Sequence, residues 1–393
     1  ASSFVFGELL LAIPVFIGWA WYADAHTALW ITVALLVITC PCALSLATPT
    51  ALAASTGALA KDGILISGKQ SLETLAQIDD VVFDKTGTLT KGQLSVSRML
   101  SAGRLNEAQA LAVAQALEQQ SEHPIARAIL NHTLSDGPVS ALDVKVQQRV
   151  NRIGHGVSAQ IEFDGETQVW ALGKAAFVSE IAGNLPEAFA HIDHTGGIIF
   201  LGNQSGFQTA FLLEDQIKDS AAEMLQNLKQ HGIRLHLLSG DRQAAVAQVA
   251  QELGLDAYRA EATPEDKLAY VENLQKQGRK VMMIGDGIND APVLAQADVS
   301  AAVATSADVA RDGADVVLLN DDLNVLPVMV EQARRTHQII RQNLTWASAY
   351  NLVAVPLAVV GYVTPWIAAL GMSFSSLLVL GNALRLLKTQ KAV

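Results

Sequence analysis

The sequence predicts a multidomain α/β protein set between membrane-spanning helices, on three observations. Half of its 393 residues are hydrophobic and only 17% are charged, a high apolar share for a soluble protein. The apolar residues crowd roughly the first sixty and last fifty positions, and the middle carries nearly all the Asp, Glu, Lys and Arg. Within that middle, strand-like runs at 79–83, 234–238 and 280–284 each end in a loop of glycine, hydroxyl and acidic residues. Open α/β sheets place their chemistry at such strand ends.

The ends of the chain come first. Residues 4–23 supply the roughly twenty positions needed to cross a hydrocarbon core. They are interrupted by Glu8 and Pro14 and end in Trp19, Trp21 and Tyr22, side chains suited to interfacial depth. After a polar turn at 24–27, a second apolar run passes Cys40-Pro41-Cys42 and continues towards residue 60, giving a helical hairpin. Runs 346–362 and 365–384 form a second pair, for about four spans in all. Arg334, Arg335, Arg341 and the basic residues of 385–388 flank this pair, which puts the polar middle in the cytoplasm. The expected product is an integral membrane protein of the bacterial inner membrane, with lipid as its surroundings. The N-terminus has neither the basic start nor the cleavage site of a signal peptide, and the true start is expected upstream.

A net charge of −11 argues against a nucleic-acid partner, because phosphate binding needs a basic surface. The only two cysteines, Cys40 and Cys42, lie in an apolar run and give no disulfide framework. Pro41 between them removes a backbone donor and breaks the helix, which is tolerated at membrane depth only at a buried or hydrated site. Two thiolates at that spacing suit a soft ion such as Cu⁺ or Ag⁺.

Residue Asp84 ends the first strand-like run and opens Asp84-Lys85-Thr86-Gly87-Thr88. A carboxylate there can attack a γ-phosphoryl group to give an acyl phosphate. A second loop, Gly285-Asp286-Gly287-Ile288-Asn289-Asp290, gathers hard oxygen ligands of the kind Mg²⁺ takes beside phosphate. Ser239, Gly240 and Asp241 end the third run, and Lys267 offers a point charge for phosphate.

These loops together resemble the signatures of P-type ATPases, and the chain is identified as a member of their heavy-metal (Cys-Pro-x) class. The resemblance implies a Rossmann-like phosphorylation domain of haloacid dehalogenase type, with an inserted α/β nucleotide-binding domain. It implies Asp84 as the phosphorylated residue, with Lys85, Thr86, Thr88, Ser239, Gly240, Asp241 and Lys267 around it. Asp84, the Thr86 carbonyl, Asp286 and Asp290 would hold Mg²⁺. Ser239 stands where the family usually has Thr, and the hydroxyl is kept. The expected domains are 1–66 (membrane hairpin with Cys-Pro-Cys), 67–95 and 212–333 (phosphorylation domain), 96–211 (nucleotide-binding domain) and 334–393 (second hairpin).

In the inserted stretch, residues 106–120 have helical apolar spacing, and His123-Pro124 opens a helix expected to run to about residue 134. Strands are expected at 160–163 and 169–172. Ser121-Glu122-His123-Pro124 followed by Gly154-His155-Gly156 resembles the nucleotide pattern of the heavy-metal class. That implies ATP, with Glu122 and His123 on adenine and Gly154, Gly156 and Gly173 lining the pocket. In the last two runs, Tyr350-Asn351, Met372 and Ser375-Ser376 resemble the copper subgroup, implying Tyr350, Asn351, Met372 and Ser376 beside Cys40 and Cys42 on the ion path. No Asp or Glu follows residue 342, which disfavours a Zn²⁺ or Cd²⁺ pump.

The family's actuator domain, with its Thr-Gly-Glu motif, is not found in these residues, so the chain reads as the carboxy-terminal part of a longer copper-exporting pump. Its missing actuator and a copper chaperone are the expected partners. A membrane-anchored phosphatase of the same superfamily is the alternative, and it would need no Cys-Pro-Cys; a binding scaffold would need neither Asp84 nor Lys267.

Overall fold

The computed structural model describes residues 2–68, 70–134, 144–192, 194, 196–285, 291–303, 313–320 and 322–388, with side chains from residue 10 onward. They divide into two compact units. One comprises Ala1–Val81, Glu223–Arg234 and Leu268–Val393, and the other Val82–Ala222 and Leu235–Lys267.

The first unit holds the apolar helices Ser2–Tyr22, Ala25–Thr39, Cys42–Lys61, Val325–Val359 and Pro365–Ala383. Asp24 caps the second through a bond from the Thr27 N–H, 2.9 Å. That helix stops at Cys40, whose ψ of 119° leaves the helical region, and Pro41 heads the next. A proline cannot donate to the preceding turn, so the break falls where the sequence predicts it.

Among the described residues, two helices are long and apolar enough to cross a membrane: Ala25–Lys61, taken across the break, and Pro365–Leu387. The apolar run 346–362 is not a separate helix. It is the second half of the 35-residue Val325–Val359, because Pro327 falls in the first turn, where proline is tolerated, and no glycine or proline follows it before 346. Small residues allow these helices to approach: Ala43, Ala47 and Ala347 pack with Val379, and Ala34, Leu35 and Ile38 pack with Ala358 and Ala368.

This unit also contains the strands Ile64–Ile66, Val316–Leu318, Val299–Ala302 and Val281–Gly285, neighbours in that order. The first pairing is antiparallel and the other two are parallel. The fully buried run Val281–Gly285 reads as a parallel-sheet strand should. The strand Asp80–Asp84, buried at all five positions, carries the chain into the second unit.

The second unit is built on a six-stranded antiparallel sheet, ordered Thr90–Ser101, Gly206–Ile217, Gly197–Asn203, Glu166–Gly173, Gly156–Phe163, Lys145–Arg152. Both faces are covered, and the period of two sorts the side chains. Leu172, Ile199, Leu201, Phe211 and Leu213 face the helices Glu107–Glu118 and Pro124–Leu130. Ala171, Phe200, Ala210 and Leu212 face Ala175–Ala182 and Glu187–Ala190.

Local chemistry fixes the ends of these elements. Asn106 and Gln109 form a capping box at the start of Glu107–Glu118. Asp164 and Gly165, both at positive φ, turn the hairpin between Phe163 and Glu166. The helix opened by His123-Pro124 ends at Leu130, four residues short of the expected 134.

Candidate functional site

Asp84 ends its strand with only 8% of its surface exposed. A carboxylate so buried needs a counter-charge, and Lys267 supplies it, Nζ to Oδ1 2.6 Å. The lysine is held there by the start of the helix Pro264–Lys276. Thr263 Oγ1 accepts from the Asp266 N–H (3.2 Å), and Asp266 Oδ2 accepts from the Thr263 N–H (3.1 Å). That reciprocal cap is why Thr-Pro-Glu-Asp-Lys sets Lys267 on the first turn. The Thr263 N–H and the Thr263 hydroxyl, which also donates to Asp266 Oδ2 at 3.0 Å, hold the Asp266 carboxyl below its ordinary value.

Lys85, next in the loop, pairs with Asp241. Ser239 Oγ accepts from the Asp241 N–H, 3.1 Å, and so closes the turn after the strand Arg234–Leu238. Thr88 is fully buried, and its Oγ1 has no hydrogen-bond partner among the described residues. An unpartnered buried hydroxyl costs about 1–3 kcal/mol, and a phosphoryl oxygen is the kind of group that would satisfy it. Thr86 is exposed. Asp286 and Asp290 lie outside the described residues.

One residue that sequence reasoning missed belongs to this loop. Asp215, on the strand Gly206–Ile217, lies 2.6 Å from Thr90 Oγ1 and accepts from the Gln93 N–H at 3.1 Å. Thr90 in turn accepts from the Gly87 N–H, 3.2 Å. Burial raises the Asp215 carboxyl above its ordinary value, against the opposing pull of Thr90 and of the Lys85 charge. The strand's polar end, Glu214-Asp215-Gln216, reads as a turn unless its antiparallel pairing to Thr90–Ser101 is known.

Four of the residues expected to hold a nucleotide, His123, Gly154, Gly156 and Gly173, line a cavity of about 600 Å³ together with Lys174 and Glu118. His123 caps the helix Pro124–Leu130, its Nδ1 accepting from the Ile125 N–H at 3.3 Å. Glu122 is exposed and is not among the lining residues, whereas Glu118, one helical turn earlier, is. Burial raises the Glu118 carboxyl above its ordinary value, offset by Ser121, His123 and Arg149. Gly156 and Gly173 have a structural reason of their own. They are register partners, and a Cβ on either would meet a backbone oxygen at 2.3 Å. Gly154 turns the chain at φ +76° with open space beside it.

In the first unit, Cys40, Tyr350, Asn351 and Met372 line one small cavity of about 10 Å³. The sulfurs of Cys40 and Cys42 converge at 2.6 Å, and neither cysteine forms a disulfide. Gly371 makes room for the phenol: a Cβ there would lie 2.6 Å from the Tyr350 hydroxyl. Ser376 does not line this cavity; Ser375 does, accepting from Trp346 Nε1 at 3.2 Å. None of the lining residues is ionic.

A haloacid dehalogenase-like hydrolase family model matches residues 78–298, more than half of the chain. The chain belongs to that family and, within it, to the heavy-metal P-type ATPases. It is 39% identical over 394 residues to a cation-transporting P-type ATPase B of Mycobacterium bovis, covering 97% of this chain and 51% of the relative. A probable copper-exporting P-type ATPase V of Mycobacterium tuberculosis is 38% identical, covering 98% and 50%. Among solved structures, a zinc-transporting PIB-type ATPase in its E2.Pi state superposes with a TM-score of 0.85 at 31% identity, over 98% of this chain and 62% of that one. The chain thus spans about half the length of the curated P-type ATPases it matches.

Proposed function

We propose that this P-type ATPase chain takes the γ-phosphoryl group of ATP onto Asp84 and couples that step to export of a soft monovalent ion, Cu⁺ (or Ag⁺), across the bacterial inner membrane. The buried Asp84–Lys267 pair beside the unpartnered Thr88 hydroxyl carries the chemical half of this reading.

In the forward step an Asp84 oxygen bonds to the γ-phosphorus, the bond from that phosphorus to the β,γ-bridging oxygen breaks, and ADP leaves. Lys267 meets the incoming negative charge, and Thr88 donates to a phosphoryl oxygen. Lys85, Ser239, Gly240 and Asp241 hold the pocket wall. Asp84, the Thr86 carbonyl, Asp286 and Asp290 form an all-oxygen donor set of the hard kind that Mg²⁺ takes, and the ion would supply charge neutralisation there. His123, Gly154, Gly156 and Gly173 would cradle the nucleotide, with Glu118 rather than Glu122 facing it. Water then attacks the acyl phosphate and releases inorganic phosphate. An actuator domain for that step and a copper chaperone are the partners this reading calls for.

For the ion, thiolate, thioether, phenol and amide groups gather on one cavity with no carboxylate among its lining residues, and that donor set favours Cu⁺. The structural likeness to a zinc-transporting pump keeps Zn²⁺ as the second reading. The deciding measurement is acid-stable, hydroxylamine-sensitive label from γ-labelled ATP with Mg²⁺, in the presence of Cu⁺, Zn²⁺ or neither, with Asp84→Asn as control. Copper-dependent label that vanishes in the control is expected. Zinc-dependent label would reassign the ion, and label surviving in Asp84→Asn would remove Asp84 as the acceptor.

A further inference from the structure

The helix Val325–Val359 is polar in its first half and apolar in its second. In the polar half Glu331, Arg334, Arg335 and Gln338 follow at successive spacings of three, one and three residues, which suits one helix face. With His231 and Arg385 they line a cavity of about 360 Å³. Its guanidinium groups are bonded to neutral oxygens. Arg334 donates to the His231 carbonyl (2.9 Å), Arg335 to the carbonyls of Arg385 (2.9 Å) and Lys388 (3.3 Å), and Arg385 to Asn382 Oδ1 (2.9 Å). Among the described residues Glu331 is the only lining carboxylate, and it faces His231 at 3.6 Å.

The charge count is therefore unbalanced. Arg334 and Arg335 cap the ends of the helices Ala221–Gln230 and Leu384–Leu387, and each helix end carries about half a negative charge. Three guanidinium charges against one carboxylate and two such ends leave a surplus of about one positive charge, before any on His231. A cavity of that volume with fixed positive charge has room for an anionic headgroup.

Two features say which kind. Trp346, 45% exposed, stands on the same helix eleven residues beyond Arg335, at the point where the helix turns apolar. Leu384 and Leu387, exposed on either side of Arg385, give apolar surface next to the cations. Charge beside exposed apolar side chains at a helix's entry into a membrane matches a molecule with a phosphate head and acyl tails.

We infer that the cavity of His231, Arg334, Arg335 and Arg385 is a binding site for the phosphate headgroup of an anionic phospholipid such as phosphatidylglycerol. This rests on the reading that Val325–Val359 and Pro365–Leu387 enter a membrane. Inorganic phosphate shares the headgroup chemistry but not the apolar contacts.

The purified full-length protein is incorporated into phosphatidylcholine nanodiscs with and without phosphatidylglycerol. Retained lipid is counted by native mass spectrometry, and the thermal midpoint is recorded alongside. Phosphatidylglycerol is expected to be retained over phosphatidylcholine and to raise the midpoint. Arg334→Gln and Arg385→Gln should each weaken that preference about fivefold, the effect of one basic residue at an anionic surface. Arg334→Lys should keep most of it, and Arg341→Gln, whose arginine does not line the cavity, should keep all of it. Equal retention of the two lipids, or a full preference in both Gln variants, would overturn the site. Stabilisation in detergent by inorganic phosphate, without lipid preference, would overturn the lipid assignment. Failure to enter phosphatidylcholine discs would instead overturn the membrane reading and the site with it. Should a Gln variant not fold, displacement of retained lipid from the unmodified protein by glycerophosphoglycerol decides, and lack of displacement counts against the site.

Discussion

The Asp84 loop and the Cys40 cavity are both polar constellations buried in protein, and they are held in opposite ways. Around Asp84 the groups are charged and tied in pairs: Asp84 to Lys267, Asp241 to Lys85, Asp215 to Thr90. Around Cys40 the polar groups are neutral, and helix packing with a proline break holds them. The contrast follows from what each would receive. A phosphoryl group brings negative charge, so countercharges must already be in place, because rearranging them in a low-dielectric site is costly. A soft cation bonds to polarisable sulfur, and a preset ionic group would only compete with it.

Removing a charge should therefore do most damage in the first site. Lys267→Met is expected to lower phosphoenzyme formation by about 10²–10³-fold, the usual cost of losing one preorganised electrostatic group. It should also destabilise the protein by roughly 3–5 kcal/mol, the usual cost of removing one partner of a buried ion pair. Adding Asp84→Asn should restore the stability and not the phosphorylation. Chemical unfolding of the single and double variants, beside label incorporation, tests both halves. If Asp84→Asn fails to restore stability, the pair is not the source of the cost.

In the second site the expected loss is smaller and confined to the ion. Cys40→Ser keeps the size and polarity of the side chain and removes the soft donor. It should weaken Cu⁺ binding roughly 10–100-fold, the range seen when metal-site residues are altered, and leave ATP affinity unchanged. Equilibrium dialysis with Cu⁺ and a fluorescent nucleotide titration separate the two, and a parallel fall in both would mean that the helix break itself had been lost.

Smaller again is the effect of the unpartnered hydroxyl. Thr88→Val replaces it with a methyl of similar shape. The resting protein should gain about 1 kcal/mol, because an unsatisfied buried group is removed. Phosphorylation should slow by about tenfold, because a donor to the phosphoryl oxygen is lost. A variant that loses stability would show that Thr88 already has a partner.

Much of this was legible in the sequence, where the signal is local. Strand ends, helix caps and the proline break are short-range chemistry, and Asp84, Cys40-Pro41-Cys42 and the His123 helix start fall where they were expected. The Asp84–Lys267 contact joins residues 183 apart in the chain and came only through resemblance, because spacing says nothing at that separation. Several strands escaped notice, two of them for evident physical reasons. Lys145–Arg152 is a mostly exposed edge strand with charged and amide side chains, and Gly197–Asn203 is bounded by glycines that read as turn. Glu122 and His123 were expected on adenine from the resemblance alone; in the structure Glu118, at the end of the helix Glu107–Glu118, lines the cavity, and Glu122 lies in the exposed turn between two helices.

The finest effect expected is a pH slope from Asp215, which anchors the Asp84 loop and, among the described residues, has no charged partner at bonding distance. Its carboxyl is raised above 3.8 by burial, so the folded chain holds that proton more tightly than the unfolded chain does. Linkage then gives the sign: the contribution is fully present below pH 3.8 and is lost as pH rises through the raised folded value. Asp84 and the other salt-bridged carboxylates act on the same curve, so the useful quantity is a difference between proteins. Asp215→Asn keeps an oxygen acceptor for the Gln93 N–H and cannot ionise. Its stability relative to the unmodified chain should therefore rise with pH from about pH 4 upward and then level off. Urea unfolding at a series of pH values measures this difference. A flat difference would mean that Thr90 and the Lys85 charge fully offset the burial of Asp215, and that the loop is anchored by an ordinary ionised carboxylate.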